Sequence, residues 1–519
     1  MASTEPLDQT FDLVVIGGGV NGVGIARDAA GRGLKVLLCE KDDLASGTSS
    51  ASTKLIHGGL RYLEHYAFAL VRHALIEREV LLRAAPHIIW PLQFVLPHSP
   101  EQRPAWLIRL GLLLYDHLGG RKILPASKAI DLRRHPAGGP ILDQFKKAFV
   151  YSDCWVEDSR LVALNALDAA ERGAEVLTRM ECQSARRGGA GWQVELRHGP
   201  SGQTRTISAR ALVNTAGPWV TEVLTQRIGR NLTKNIRNVK GSHIVVPRLF
   251  DHPYPYIFQN VDKRVLFAIP YEGRFTLIGT TDLDYEGDLD RVAITEGEID
   301  YLCQAVNRYF ERKISAEDVV WTYAGVRPLY DDGAGSASQA TRDFILELES
   351  EGEAAPLLNV YGGKITTYRV LAEQAVDKLR GPLGFAVGGW TEHAHLPGGD
   401  MERADFESFL ATQRSAYPWM PDELLDRYAR SYGTRMNRIL EHASRLEDLG
   451  KDLGGSLHEA EVDYLVDQEF ARCPEDILWR RSKLGLHVPE GTAERITDYL
   501  NKGLLGNPPP GARSATVKA

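Results

Sequence analysis

The chain has 519 residues, of which 43% are hydrophobic and 25% charged, so we expect an ordinary globular protein of two or three domains. A net charge of −7 without a long basic run argues against a nucleic-acid partner. Five scattered cysteines without a C-x-x-C pair argue against a disulfide framework, a zinc site or an iron–sulfur cluster. The first ten residues contain no Arg or Lys, and no apolar run approaches the roughly 20 residues that span a bilayer, so we expect neither a signal peptide nor a transmembrane segment.

Residues 11–40 have the pattern of a dinucleotide-binding strand–loop–helix–strand unit. After a first apolar strand, Gly17 permits a tight turn, Gly19 lets a pyrophosphate approach the backbone, and Gly22 lets the helix pack closely. The free N–H groups at the start of the helix then face the phosphates. Glu40 ends the second strand, expected over residues 34–39, where a carboxylate would accept hydrogen bonds from an adenosine ribose and repel a 2′-phosphate.

Two features after this unit point to a ligand. Residues 46–53 are small and rich in hydroxyl groups, so they could bind a dinucleotide, although a solvated loop has the same composition. Residues 57–62, HGGLRY, place a His, an Arg and a Tyr beside two glycines that let the backbone approach something flat or bulky. These residue types suit an anionic polar substrate.

Two helices are predicted next. Residues 70–85 form an amphipathic pattern. Residues 106–118, WLIRLGLLLYDHL, predict a short apolar helix with two open interpretations: a helix packed in the core, or a patch that lies on a membrane surface. In the second interpretation, nearby cations would contact lipid headgroups, namely Arg103, Arg109, Arg121 and Lys122.

In the middle of the chain, we expect residues 149–156 and a helix over 159–172 to return to the dinucleotide-binding domain. A small antiparallel meander is predicted at 175–178, 192–197 and 204–208, followed by a buried strand within residues 211–219 that ends in small residues. The short alternating runs within residues 240–330 predict an antiparallel sheet above the cofactor. His393 and His395 lack a third ligand nearby, so we expect no metal site.

Six motifs, in the same order along the chain, resemble the FAD-dependent aerobic glycerol-3-phosphate dehydrogenases. The resemblance covers about residues 11–400 closely and the helical C-terminal region more loosely. The motifs are residues 49–64 (SSASTKLIHGGLRYLE), 151–155 (YSDCW), 240–247 (KGSHIVVP), 278–282 (IGTTD), 325–329 (GVRPL) and 361–368 (YGGKITTY).

The resemblance implies an α/β plus α fold: a Rossmann-like FAD-binding domain, an antiparallel-sheet substrate (cap) domain and a C-terminal helical domain. We expect the oxidoreductase region to cover residues 1–395. Its FAD-binding parts are expected at about 8–95, 149–240 and 325–395, and its cap parts at about 96–148 and 241–324. The helical domain is expected over residues 396–506, and a disordered, proline-containing tail over 507–519.

The implied reaction is oxidation of sn-glycerol 3-phosphate to dihydroxyacetone phosphate, with FAD accepting the hydride. Such a site needs a phosphate clamp and a cation that stabilises the developing alkoxide. We expect Arg61, Arg327 and Lys364 to supply these cations, and Tyr62 and Thr280 to donate further hydrogen bonds.

A base must also take the proton of the substrate hydroxyl. His57 and His243 are the only histidines inside the motifs, and we favour His243, with Arg327 sharing the role by stabilising the alkoxide. The alternative for either histidine is a structural hydrogen bond to the flavin or the backbone.

The FAD-binding residues that we expect lie in the glycine loop, the hydroxyl-rich stretch, the H-G-G motif and two later strand ends. Residues 361–379 add a strand, a glycine pair and a helix whose N-terminus faces the pyrimidine side of the flavin. No His or Cys stands in a recognised attachment motif, so we expect non-covalent FAD. The expected residues are Gly17, Gly19, Asn21, Gly22, Glu40, Thr48, Ser49, Ser52, Lys54, His57, Gly58, Ala216, Gly217, Gly363, Lys364, Ile365 and Thr366.

The electrons must leave the flavin for a diffusible carrier, because no second redox centre is visible in the sequence. A membrane quinone fits the resembled family. Oxygen is the alternative, although we find no sign of the insertion that glycerophosphate oxidases carry. The rival classes are another FAD-dependent amino-acid or hydroxyl oxidase of this fold and a non-catalytic NAD-binding regulator. The resemblance also implies a homodimer, bound peripherally at the cytoplasmic face of the inner membrane.

Overall fold

The computed structural model describes residues 10–99, 102–188, 191–231, 234–260, 262, 264–331, 343–350, 352 and 354–506. The expected tail, 507–519, lies outside these residues. The described strands are β1 (Thr10–Ile16), β2 (Val36–Cys39), β3 (Leu55–Ile56), β4 (Ile89–His98), β5 (Lys128–Asp131), β6 (Lys147–Val156), β7 (Glu175–Leu177), β8 (Met180–Gly188), β9 (Gly191–His198), β10 (Thr204–Asn214), β11 (Ile236–Pro247), β12 (Tyr256–Gln259), β13 (Val265–Tyr271), β14 (Phe275–Gly279), β15 (Leu283–Asp284), β16 (Trp321–Tyr330), β17 (Phe344–Glu349) and β18 (Leu357–Gly362).

The described α-helices divide into seven in the two-sheet region and five in the C-terminal part. They are α1 (Val20–Gly31), α2 (Phe68–Ala84), α3 (Ala105–Leu118), α4 (Asp158–Glu171), α5 (Val220–Glu222), α6 (Glu296–Val306), α7 (Tyr368–Leu383), α8 (Phe406–Ala416), α9 (Asp422–Tyr432), α10 (Met436–Leu440), α11 (Glu459–Asp467) and α12 (Thr492–Gly506). The predicted amphipathic and apolar helices are confirmed as α2 and α3. No helix in the described part of the chain combines the length and apolar character needed to cross a bilayer.

The first sheet has eight strands and is parallel at its centre, with the order β17-β18-β10-β1-β2-β7, and with β9 on β10 and β8 on β9. Strand β1 pairs in parallel with β2 and β10, so that Ile16 lies opposite both Cys39 and Asn214. The carboxyl ends of three strands therefore meet at one edge, which is where ligands bind in such sheets. Helices α1, α4 and α7 share one hydrophobic core with this sheet.

Small residues allow these helices to pack closely. Ala26 and Ala29 of α1 are fully buried. A Cβ added to Gly24 would lie 2.9 Å from the Tyr368 ring of α7, so the helix contact requires glycine there. The alternation of apolar and small residues in α1 thus positions its N-terminus against the carboxyl end of β1.

The second sheet has ten strands, β15-β11-β14-β13-β12-β4-β6-β3, with β16 on β11 and β5 on β6. It confirms the antiparallel sheet predicted within residues 240–330. The observed strand pairings correct two predictions. Residues 149–156 belong to β6, which pairs with β4 in this second sheet and not in the dinucleotide-binding sheet. Residues 175–178 do not start the meander, because β7 pairs in parallel with β2, and β8 takes that place beside β9. The second strand also begins at Val36 and not at residue 34.

The C-terminal part, α8–α12, has a hydrophobic core of its own. Its helices confirm the helical periodicity of residues 401–505. Its contacts with the first sheet include a buried ion pair between Arg160 of α4 and Glu469. The observed arrangement is a parallel-centred α/β sheet, an antiparallel cap sheet and a helical C-terminal domain, which confirms the predicted fold class.

Candidate active site

The glycine loop lies between β1 and α1 as the motif predicts. Gly17 has a φ of 111°, and a Cβ there would lie 2.7 Å from the carbonyl oxygen of Thr215. A Cβ on Gly22 would overlap the carbonyl oxygen of Gly17. Gly22 is therefore required for packing α1 onto the loop, while Gly17 and Gly19 face the site.

Glu40 lies at the end of β2 beside this loop. Its Oε2 accepts a hydrogen bond from the Gly18 N–H at 2.6 Å, and its Oε1 accepts one from the Asp42 N–H at 2.8 Å. Burial raises the pKa of Glu40 to about 7, although both N–H groups oppose the shift. The carboxylate thus titrates near neutral pH in a position where a ribose hydroxyl could donate to it.

A cavity of about 470 Å³ runs along the strand ends and is lined by most of the predicted FAD-binding residues. Fourteen positions lie on its wall: Gly17, Gly19, Asn21, Glu40, Thr48, Ser49, Ser52, His57, Ala216, Gly217, Gly363, Lys364, Ile365 and Thr366. Gly22, Lys54 and Gly58 are not on the wall in the described part of the chain. Their expected contacts with FAD stay predictions.

Lys54 and Gly58 support the wall from behind. The Lys54 ammonium lies 2.8 Å from Asp158, and both side chains are fully buried. Asp158 also accepts a hydrogen bond from the Ser52 hydroxyl at 2.8 Å. The N–H of Gly58 donates to the Tyr115 hydroxyl at 2.8 Å.

The cavity residues fit FAD by shape and by hydrogen-bonding capacity. The buried Oδ1 of Asn21 has no hydrogen-bond partner among the described residues. This acceptor lies beside Gly363, where we expect the flavin. Gly363 has a φ of 97°, which places the chain in a conformation that favours glycine. The short helical turn Ile365–Thr367 leads into α7, so free N–H groups border this end of the cavity.

Four of the five predicted substrate residues line the same cavity: Tyr62, Thr280, Arg327 and Lys364. Arg327 donates to Asp282 Oδ1 at 2.7 Å and to Thr280 Oγ1 at 3.2 Å. The Lys364 ammonium lies 4.1 Å from the centre of the Tyr62 ring. Arg61 does not line the cavity among the described residues, and its substrate contact stays a prediction.

The two candidate histidines occupy different positions. His57 lines the cavity, and its backbone N–H donates to Thr366 Oγ1 at 3.2 Å. His243 is fully buried behind the wall, stacked on Tyr323 with ring centres 4.6 Å apart. Its Nε2 lies 3.0 Å from the Thr53 hydroxyl, which does line the cavity.

The environment of His243 keeps its imidazole neutral. Burial, followed by the charges of Arg327 and Lys54, holds the pKa of His243 well below its usual range. A neutral imidazole next to a hydroxyl can exchange a proton with it, so Thr53 connects His243 to the cavity. Thr53 was not among the predicted site residues, although it ends the hydroxyl-rich stretch.

Two further contacts of the cavity were not predicted from the sequence. A Cβ on Gly241 would overlap the Arg327 guanidinium, so this glycine, which lies in the K-G-S-H motif, makes room for the substrate-side cation. Lys41 forms an ion pair with Asp290 of the cap and lies over Trp219, and all three line the cavity. A lysine and an aspartate 249 positions apart carry no local signal of this contact.

Comparison with known proteins places the chain in a family. Residues 12–369 match the model of the FAD dependent oxidoreductases, and residues 390–504 match the C-terminal domain of alpha-glycerophosphate oxidase. The chain is 57% identical to D-erythritol 1-phosphate dehydrogenase of Brucella abortus over 96% of this chain and 99% of that protein. It is 49% identical to the aerobic glycerol-3-phosphate dehydrogenase of Escherichia coli over 95% and 97% of the two chains.

A solved structure agrees with these relatives. The glycerol-3-phosphate dehydrogenase of Bacillus halodurans, determined with FAD, superposes with a TM-score of 0.74 at 27% identity and covers 96% of this chain and 95% of its own. The FAD dependent oxidoreductase model and this structure agree on the cofactor, and the cavity residues fit it. The chain belongs to the FAD-dependent oxidoreductase family, and its cofactor is FAD.

Proposed function

We propose that this enzyme oxidises sn-glycerol 3-phosphate to dihydroxyacetone phosphate. The observation that carries the proposal is that two cations, Arg327 and Lys364, both line the FAD cavity. A phosphate and a developing alkoxide both need such cations, whereas an amino-acid substrate needs a single clamp for its carboxylate. When bound, FAD supplies the hydride acceptor.

The side chains around these two cations have separate roles in the reaction. Asp282 and Thr280 hold the Arg327 guanidinium in one orientation, which suits a group that stabilises the alkoxide. Lys364 and Tyr62 border the space for the phosphate. Removal of the hydroxyl proton has two routes that stay predictions: to His57 directly, or to His243 through Thr53.

An anaerobic absorbance titration tests the proposal. We expect glycerol 3-phosphate to bleach the flavin band near ~450 nm, while glycerol and an amino acid leave it unchanged. Bleaching by the amino acid, or no bleaching by any phosphorylated polyol, would refute the substrate assignment while the yellow colour still reported bound FAD.

A four-carbon substrate is the second candidate. The relative named D-erythritol 1-phosphate dehydrogenase is 57% identical to this chain, compared with 51% and 49% for two glycerol-3-phosphate dehydrogenases. The same cations would bind the phosphate of either substrate. The additional hydroxyl-bearing carbon of the four-carbon substrate would extend away from them. The ratio of kcat/KM for the two compounds, measured with the same electron acceptor, decides between them.

For the electron acceptor we propose a membrane quinone, reached while α3 lies on the lipid surface. Several large apolar side chains of α3 are exposed, including Trp106 at 69%, Leu110 at 54% and Leu113 at 45%. Its inner face is buried through Leu112 and Tyr115, so the helix carries apolar side chains on both faces and leaves the outer ones exposed. Exposed Arg103 and Lys122 flank the helix, where they suit anionic headgroups.

Vesicle sedimentation tests the surface with a matched control. We expect Leu110→Glu to reduce binding to anionic phospholipid vesicles severalfold, and Val387→Glu to leave it unchanged, because Val387 is similarly exposed (51%) but lies after α7 and outside this surface. Equal binding by wild type and Leu110→Glu would refute docking through α3. Binding that needs no anionic lipid would remove the role of the flanking cations.

The remaining partner predictions have their own measurements. Reoxidation of the reduced enzyme by a short-chain quinone, compared with air, distinguishes a quinone from oxygen. Sedimentation velocity tests the expected homodimer, and fractionation of cells tests the expected peripheral position at the cytoplasmic face of the inner membrane.

A further inference from the structure

The loop that follows Glu40 is held by the C-terminal helical domain. Asp43 is only 2% exposed, and its carboxylate receives three hydrogen bonds from two consecutive arginines. Arg480 Nε donates to Asp43 Oδ2 at 2.6 Å, and Arg481 donates to Oδ2 and Oδ1 at 2.7 and 2.8 Å. Such multiple, buried, charge-assisted contacts fix a backbone position strongly.

A second ion pair extends the same cluster. Arg179 lies just before β8; its N–H donates to the Asp42 carbonyl at 2.6 Å, and its guanidinium donates to both oxygens of Asp476 at 2.8 and 2.7 Å. Burial would raise the pKa of Asp476, but the charge of Arg179, then the backbone N–H of Arg472 and the charge of Arg480, hold it at about 2. Asp476 therefore stays ionised across the physiological pH range.

The held loop forms part of the FAD cavity. Lys41, Ala45 and Gly47 line the cavity on both sides of Asp43 in the sequence. The Ala45 N–H donates to the Gly18 carbonyl at 3.2 Å, while Glu40 accepts from the Gly18 N–H. A displacement of the loop at Asp43 would thus be transmitted to both the ribose-side carboxylate and the glycine loop.

We propose that the C-terminal domain retains FAD by clamping this loop, with Asp43, Arg480 and Arg481 as positioning residues for cofactor binding. The inference rests on the FAD cofactor and not on the proposed substrate. The arginines do not touch the reacting atoms, so their effect is expected in FAD release and not in the turnover of fully loaded enzyme.

The test compares Asp43→Asn with Glu469→Gln in the full chain. Each variant removes the charge of a buried carboxylate that pairs with arginine between the same two parts of the molecule, but Glu469 binds Arg160 of α4 and not the loop. FAD release is followed by the rise of flavin fluorescence after dilution. We expect Asp43→Asn to release FAD at least tenfold faster than wild type, and Glu469→Gln to release it less than twofold faster.

Further measurements separate positioning from folding. Saturating FAD should restore kcat of Asp43→Asn and leave its substrate KM unchanged. If Asp43→Asn does not fold, Arg480→Gln replaces it, because this side chain is 13% exposed and sits at the rim of the cluster; at least threefold faster release is expected. The proposal would be overturned if Asp43→Asn and Arg480→Gln released FAD at the wild-type rate. It would also be overturned if Glu469→Gln accelerated FAD release as much as Asp43→Asn does. Failure of the substrate assignment would leave these release rates unchanged.

Discussion

Replacing Tyr115 by Phe tests how α3 supports the active-site loop. The Tyr115 hydroxyl accepts a hydrogen bond from the Gly58 N–H at 2.8 Å and contacts both oxygens of Asp153 at 2.8 and 2.9 Å. Arg78 donates to the same carboxylate at 2.7 Å, and all three residues are at most 2% exposed. Gly58 follows His57, so the hydroxyl holds the peptide at the centre of the H-G-G motif.

The expected loss in the free energy of unfolding follows from the hydrogen-bonding groups that Tyr115→Phe leaves unpaired. A buried hydrogen bond to a charged group contributes about 1.5–3 kcal/mol, and an orphaned buried donor costs a similar amount. In Tyr115→Phe, the Gly58 N–H keeps only Asp153 Oδ1, at 3.4 Å. We therefore expect the free energy of unfolding to fall by about 2–3 kcal/mol. We also expect substrate-driven flavin reduction to slow about tenfold, which corresponds to about 1.4 kcal/mol.

Anaerobic stopped-flow absorbance measures the reduction rate, and thermal unfolding measures the stability. Tyr271→Phe is the matched control, because this tyrosine lies in the same core cluster and its buried hydroxyl has no partner among the described residues. A wild-type reduction rate in Tyr115→Phe would refute the reasoning. An equal loss in Tyr271→Phe would assign the effect to core packing alone.

Four other predictions concern the site and the cap. Lys364→Ala and Arg327→Ala should each lower kcat/KM at least a hundredfold, or about 2.7 kcal/mol, while the purified proteins stay yellow; loss of FAD from either variant would contradict the substrate role. The pKa of Glu40 is about 7, and the ribose hydroxyls need an ionised acceptor, so lowering the pH from 8 to 6 should weaken FAD binding about tenfold in a fluorescence titration. If Glu40→Gln shows the same pH dependence of FAD affinity as wild type, this carboxylate is not its cause. Because burial holds the pKa of His243 well below its usual range, an acid limb of kcat/KM in the usual range of an imidazole that disappears in His57→Gln would identify His57 as the base. Thr295→Ala removes the capping box of α6 and should cost about 1 kcal/mol in chemical denaturation, without a change in flavin content.

The sequence predicted the parts of the site whose backbone requirements are local. Gly17 must adopt a positive φ and Gly22 must lack a side chain, so the glycine loop is recognisable from a few adjacent residues. The positions of Thr280, Arg327 and Lys364 followed from motifs of the resembled family, and the structure places all three on the wall of one cavity. Glu40 followed from its spacing after the loop.

Other features depend on pairings that no local pattern contains. The apolar run of β6 is compatible with either sheet, and only its pairing with β4 decides which one it joins. Lys54 and His243 lie in motifs that contact the site, but Lys54 pairs with buried Asp158 and His243 stacks on Tyr323, and both therefore lie behind the wall. The clamp joins Asp43 to Arg481 across 438 positions, so neither residue is marked by its own neighbourhood.

The interleaved order of the two sheets has a consequence for biosynthesis. The chain completes β1 and β2, adds β3–β6 to the second sheet, returns for β7–β10, leaves again for β11–β16, and comes back only for β17 and β18. The wall of the FAD cavity includes Gly363 and Ile365, which follow the last strand. The nascent chain therefore cannot assemble its complete cofactor site until about residue 366 has left the ribosome, so we expect flavin loading to be a late event that follows the docking of both sheets.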